Sequence, residues 1–283
     1  MHGQKKVAAI HDLSGYGRCS LTVVLPILSA AGIQCSCLPT AILSTHTGGF
    51  VDYTYRDLTE DMRPFMAHWE KIGLTFDALY SGFLGSFEQI DIVSDFFDAF
   101  KTKENLILVD PVMGDRGELY QTYTPKMAEG IKQLCKKADI IVPNMTEASF
   151  LLGIEYREGP YDKEYVEDIL KRLSELGPRQ VVLTGVWKDW PRIGAAAYDR
   201  DSGEVYFDSS ARREGFFHGT GDVFASVLLA ALLSGKNLKE AIRKAVAFTC
   251  DAIHRTALVS EDPRCGVNFE AGLSEIVELW KTE

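Results

Sequence analysis

The sequence predicts an α/β fold, a three-layer α/β/α sandwich around a mostly parallel central sheet, with an antiparallel hairpin at the sheet edge. Three observations carry this prediction. Six short apolar runs recur along the chain: KKVAAIHDL (5–13), IQCSCLPTAIL (33–43), ALYSGFLG (78–85), NLILVDPVMG (105–114), ADIIVPN (138–144) and RQVVLTGVW (179–187). They are apolar on both faces, as strands covered by helices on each side must be. Helical patterns such as LTVVLPILSAAG (21–32) and QIDIVSDFFDAFKTK (89–103) separate most of them, and that alternation belongs to parallel sheets. The stretch IGAAAYDRDSGEVYFDSS (193–210) differs, because its two alternating runs flank an Asp201-Ser202-Gly203 turn. Such a pattern is a hairpin.

The last third of the chain reads as helical. Val223 to Leu233 is apolar almost all round, so this helix is expected to be buried. In LKEAIRKAVAFTCDAIHRTAL (238–258), Leu238, Ile242, Ala245, Val246 and Ile253 share one face, with Thr249 as its polar exception. There is no internal repeat, low-complexity tract or linker, so a single domain over residues 1–283 is the simplest organisation.

The net charge of −10 argues against a general nucleic-acid binder and against an anionic membrane surface. No apolar run reaches the length of a membrane span, and MHGQKKVAAIHDL lacks a secretory core. The expected location is therefore cytoplasmic. Cys19, Cys35, Cys37, Cys135, Cys250 and Cys265 are scattered without the C-x-x-C spacing of a zinc site, and without a secretory segment no disulfide framework is expected. Most are expected to be buried thiols. Asn144-Met145-Thr146 matches a glycosylation sequon by chance.

Polar and glycine residues gather just after the strands, where open α/β sheets bind ligands. Asp12 and Gly15 follow the first strand, His46 to Gly49 the second, and Gly82 to Ser86 the third. Asp110 to Asp115 end the fourth, Asn144 and Glu147 the fifth, and Thr184 and Gly185 the sixth. Walker A, G-x-G-x-x-G, G-x-S-x-G and H-E-x-x-H patterns are all missing. What remains is acids and glycines. Asp110, Asp115 and Glu147 offer the oxygen donors that suit magnesium, although Glu147 reads equally as a helix-start acid and Asp115 as a turn acid. Asp222 stands in HGTGDVFASVLLAALLSG (218–235) between Gly219, Gly221 and the apolar helix. It is either an N-cap or a general base beside an anion pocket formed by a helix start. Together these groups describe a phosphoryl-transfer site.

DPVMGD (110–115), VPNMTEASFLLG (142–153), VVLTG (181–185) and HGTGDVFASVLLAALLSG resemble the ribokinase-like superfamily of small-molecule kinases. STHTGG (44–49) and SGFLGS (81–86) resemble its vitamin B6 kinase branch. The resemblance runs in order from about residue 5 to 258. It implies a homodimer and ATP-dependent phosphorylation of the 5′-hydroxymethyl group of pyridoxal, pyridoxine or pyridoxamine.

Carried over, it makes Asp222 the base and the amides of Gly219, Thr220 and Gly221 the anion hole. Glu147 with Asn144 would organise Mg2+, and Asp110 and Asp115 would line the metal and triphosphate region. Val142, Thr184 and Gly185 fall on the nucleotide side, with Ala211 and Arg212 bordering the adenine pocket. Thr47 would bond the pyridine ring, with His46 a second substrate-side candidate. Phe83 would pack on the ring or sit in the core. The segment 116–123 resembles a flap, with Tyr123 as its substrate contact.

The chain departs from the branch in places. Asp12 stands where many members carry Ser, and a carboxylate there is expected to meet a ring hydroxyl or a cationic amine. Gly48 replaces a larger residue, which is expected to leave a roomier pocket. DLSGYGR (12–18) also resembles the first loop of hydroxymethylpyrimidine kinases, the alternative reading alongside a non-catalytic B6-binding protein.

Overall fold

The computed structural model describes residues 3–189, 191–259 and 262–278. The chain forms two compact units, one from residues 1–78 and 213–283 and the other from residues 79–212. The first unit opens with β1 (Lys6–Ser14), α1 (Leu21–Ala30), β2 (Gln34–Leu43), β3 (Tyr55–Asp57) and α2 (Thr59–Lys71). The second begins with β4 (Ala78–Ser81), α3 (Phe87–Phe100), β5 (Leu106–Val109), β6 (Gly114–Asp115), β7 (Glu118–Leu119) and α4 (Pro125–Lys137). It continues with β8 (Ile140–Ile141), α5 (Met145–Leu152), α6 (Lys163–Glu175), β9 (Gln180–Val186), β10 (Arg192–Asp199) and β11 (Glu204–Ala211). The chain then returns to the first unit as α7 (Thr220–Leu233), α8 (Leu238–Leu258) and α9 (Leu273–Val277).

In the first unit β1 pairs in parallel with β2, and β2 carries β3 as an antiparallel edge strand. The sequence signalled β1 and β2 through their length and apolarity. It gave no sign of β3, whose three residues are all exposed. Strand β1 is buried from Val7 to Ser14 apart from a half-buried Leu13, as a strand enclosed on both faces requires. Helix α7 is buried from Val223 through Ala231 and packs against α1 and α8. On α8 the buried face includes Leu238, Ile242, Ala245, Val246 and Thr249, whereas Ile253 is only half-buried.

The second unit orders its strands β4-β5-β8-β9-β10-β11. The pairs β5–β8 and β8–β9 are parallel, while β9–β10 and β10–β11 are antiparallel. The expected hairpin is β10–β11, at the edge and turning at residues 200–203. The α/β class, the mostly parallel pairing and the antiparallel edge all hold. A separate two-stranded hairpin, β6–β7, turns through Arg116 and Gly117, both with positive φ.

Among the described residues no disulfide joins any of the six cysteines. Only Cys19 and Cys135 are buried, contrary to expectation, because Cys35 and Cys37 lie on a strand whose first half is incompletely covered.

Candidate active site

In the first unit the candidate residues meet where β1 ends and α7 begins. Gly219 caps α7 with φ of 73°, and an added Cβ would lie 2.0 Å from the Arg18 carbonyl oxygen. Only glycine fits both the backbone conformation and the close approach. Asp222 is therefore not the N-cap; it is the third helical residue. Its Oδ2 accepts a hydrogen bond from the Ser20 backbone N–H at 2.8 Å. The first-turn amides of α7 have no intrahelical acceptors, and the positive end of the helix dipole lies with them. Burial pushes the Asp222 carboxyl up to about 7; the Ser20 N–H opposes that shift and the nearby Asp12 charge adds to it.

Asp12 is only 5% exposed. Its Oδ1 accepts from the Ser20 hydroxyl at 2.5 Å and its Oδ2 from the Ser14 hydroxyl at 3.0 Å. Burial raises its pKa against those two hydroxyls. The two serine hydroxyls hold the carboxylate in place and link it to the Ser20 turn.

His46 is also buried. Its Nε2 bonds the Arg264 carbonyl at 2.5 Å, and its Nδ1 accepts from the Gly48 N–H at 3.1 Å. That pattern requires the neutral tautomer protonated on Nε2, and burial accordingly lowers its pKa. Thr47 beside it is exposed.

The roomier pocket expected at Gly48 is not there. A Cβ on Gly48 would lie 2.4 Å from the His218 ring, so the imidazole of His218 fills that volume. Burial, with His46 adjacent, lowers His218 to about 4, so it is neutral at physiological pH.

In the second unit Asn144, Thr146 and Glu147 converge on the β6–β7 hairpin. Asn144 Oδ1 accepts from the Glu147 N–H, and Glu147 Oε2 accepts from the Asn144 N–H, completing a capping box. Glu147 Oε1 also accepts from the Met113 N–H at 3.2 Å. Asn144 Nδ2 donates to the Gly114 carbonyl, and the Thr146 hydroxyl accepts from the Gly117 N–H, each at 2.9 Å. Glu147 thus meets the helix-start reading in full while holding the hairpin. Burial lifts its carboxyl to about 8 against those backbone donors, and Asp115 adds to the rise. The clasp has a direct test. Thr146→Val should leave the fold intact and speed amide exchange at Gly117 by about 5- to 10-fold, the worth of one hydrogen bond. Exchange at the wild-type rate would show that Thr146 does not hold the hairpin.

Asp115 Oδ1 accepts from the Arg116 N–H, as a turn acid does, and Asp110 is buried with its N–H bonded to the Ser81 carbonyl. Among the described residues no group of three or more His, Cys, Asp or Glu is arranged to hold a metal. Magnesium held through one or two carboxylates, waters and phosphates needs no such cage. The acids Asp110, Asp115 and Glu147 are hard oxygen donors, and the two oxygens of Glu147 keep lone pairs beyond their amide partners. The donor set fits that ion.

Tyr123 is 6% exposed and donates its hydroxyl to the Leu84 carbonyl at 2.9 Å. Its ring lies 5.8 Å from that of the half-buried Phe83. Tyr123 and Phe83 therefore stand side by side, with the phenol proton donated within the protein. Val142 is buried, and Thr184 pairs through its N–H with the Pro143 carbonyl. Gly185 is exposed with φ of 69°. Ala211 is exposed, while the Arg212 guanidinium lies 4.8 Å over the Trp187 ring.

Ser20, Thr146, Trp187 and His218 went unnoticed in the sequence. His218 could have been found from its place beside Gly219. Nothing in the string marks Ser20, whose importance lies in its backbone conformation.

The phosphomethylpyrimidine kinase family profile matches residues 29–263. A solved structure from Bacteroides thetaiotaomicron, provisionally assigned as a phosphomethylpyrimidine kinase and crystallised with pyridoxal, is 39% identical with a TM-score of 0.93, covering 97% of this chain and 96% of that one. Pyridoxal kinase from Lactobacillus plantarum is 32% identical with a TM-score of 0.89, covering 98% of each chain. A pyridoxal kinase of Actinobacillus pleuropneumoniae is 32% identical over 199 residues, 64% of this chain. The chain spans 64% of that curated relative's length. With a profile covering most of its length and the same fold in these structures, the chain belongs to the phosphomethylpyrimidine kinase family.

Proposed function

We propose that this protein is an ATP-dependent kinase that phosphorylates the 5′-hydroxymethyl group of pyridoxal, pyridoxine or pyridoxamine. The observation that carries this reading is Asp222, held near neutrality at the start of a buried helix capped by a glycine that tolerates no side chain. Asp222 takes the hydroxyl proton, and the amides of Gly219, Thr220 and Gly221 stabilise the charge on the transferring phosphoryl group. Asp12, His46, Thr47, Phe83 and Tyr123 serve the B6 substrate. Val142, Thr184, Gly185, Ala211 and Arg212 serve the nucleotide. Glu147 with Asn144, Asp110 and Asp115 would hold Mg2+, which when bound neutralises phosphate charge. One folded kinase domain, a cytoplasmic homodimer in the resemblance's pattern, completes the proposal. Among the described residues no helix is long and apolar enough to cross a membrane.

Two kinase readings compete on substrate, since the matching family profile is described by phosphomethylpyrimidine and the Bacteroides relative was crystallised with pyridoxal. Following new phosphomonoester signals by 31P NMR with Mg-ATP and each acceptor separates them. Faster product formation from a B6 vitamer than from hydroxymethylpyrimidine is expected; the reverse order would move the protein to thiamin synthesis.

The base also sets a pH dependence. Burial raises the Asp222 carboxyl from 3.8 to about 7, so it is protonated and unable to accept a proton below that value. The rate constant kcat should therefore rise through about pH 7 and level off above it. A profile flat down to pH 5 would contradict the assignment of Asp222 as base.

A further inference from the structure

Ser20 has φ of 49° and ψ of −132°, a backbone conformation disfavoured for any residue with a Cβ. It immediately precedes α1, where serine ordinarily adopts extended backbone and caps the helix with its hydroxyl. Here it does neither, and its side chain makes no capping bond. The hydroxyl instead donates to Asp12 Oδ1 at 2.5 Å, while the backbone N–H donates to Asp222 Oδ2 at 2.8 Å. One residue thus gives up a helix cap, accepts backbone strain and joins two acids through two different atoms.

We infer that Ser20 is a positioning residue: its hydroxyl, anchored on Asp12, holds the backbone in the strained conformation that aims its N–H at Asp222. The inference rests on the reading of Asp222 as the base. It assigns to Asp12 a role in the bridge. The titratable groups facing Asp222 are Asp12 on β1 and Cys19 beside Ser20. Asp12 in turn faces His46, and His46 faces His218.

Strain and hydroxyl can be separated by two substitutions. Both Ser20→Ala and Ser20→Gly remove the hydroxyl. Only alanine keeps the Cβ that penalises positive φ, so without its anchor the backbone should relax and withdraw the N–H from Asp222. Glycine occupies that conformation without penalty, so its N–H can stay in place. Ser20→Ala should lower kcat about 10- to 100-fold, the worth of a hydrogen bond to a charged group, with KM for pyridoxal little changed. Its acid limb should move to higher pH, because the lost donor favoured the ionised carboxylate. Ser20→Gly should stay closer to wild type in both respects. Equal losses in the two variants, or no loss in Ser20→Ala, would overturn the inference.

A second readout does not depend on turnover. In wild-type protein the Ser20 amide proton should titrate in 15N–1H spectra with a midpoint near 7, following Asp222, and the titration should vanish in Asp222→Asn. An amide that does not titrate would overturn the bridge even in an active enzyme. If wild type makes no acceptor-dependent ADP, the kinase reading fails while this titration still decides the bridge. Should Ser20→Ala fail to fold, the glycine variant and the wild-type titration carry the test.

Discussion

Asp222→Asn is expected to lower kcat by about 10²- to 10⁴-fold, the usual worth of general-base assistance, with little change in KM for either substrate. Asparagine has nearly the same shape and keeps an oxygen to accept the Ser20 N–H, so the helix start should survive. What it lacks is basicity. Stability gives an independent check. The folded-state pKa of Asp222 lies above its unfolded value, so the folded protein binds the proton more tightly. The stability associated with that proton is present at low pH and lost as pH rises from about 4 through about 7. At pH 8 the ionised, half-buried carboxylate carries a desolvation cost that the neutral amide avoids. The melting temperature of Asp222→Asn at pH 8 should therefore be no lower than wild type. An active variant would remove Asp222 from the mechanism, and an inactive one with a collapsed melting temperature would leave only a structural role.

The second large effect is expected at Gly219. In Gly219→Ala the new Cβ would lie 2.0 Å from the Arg18 carbonyl oxygen, at a φ of 73° that alanine resists. Backbone atoms cannot rotate away as a side-chain tip can, so the loop or the helix start must move. Strain of this kind costs about 1–3 kcal/mol by itself. Displacing the first-turn amides removes anion-hole donors, each worth about 10²–10³ in kcat. Thermal melting and steady-state kinetics together should show a loss in both. The loss should exceed that of Gly185→Ala, where a Cβ would meet nothing within 4 Å and only the φ of 69° is strained. Wild-type kinetics in Gly219→Ala would mean that the amides of this turn take no part in catalysis.

Much of the fold was legible because burial leaves a mark on composition. Strands β1 and β9 and helix α7 are largely enclosed, so most of their residues are apolar. Strand β3 left no such mark, since an exposed three-residue edge needs no particular sequence. The same rule divides the site. Asp222, Gly219 and the Asn144–Glu147 pair were legible because glycine permissiveness and helix-start charge are local properties. The fate of Asp12 was not, because enclosure by Ser14 and Ser20 depends on where a distant turn returns. Gly48 misled for a related reason: the space beside it was real, and a histidine 170 residues later fills it. His46 and Tyr123 carry polar groups that looked available until their partners, the Arg264 and Leu84 carbonyls, were placed.

The most direct test is ADP formation from Mg-ATP by the wild-type protein, with saturating pyridoxal and without any acceptor. The expected result is ADP that appears only with the acceptor, in step with pyridoxal 5′-phosphate. Folded protein that binds pyridoxal yet forms no acceptor-dependent ADP would contradict it and leave a B6-binding protein in place of a kinase.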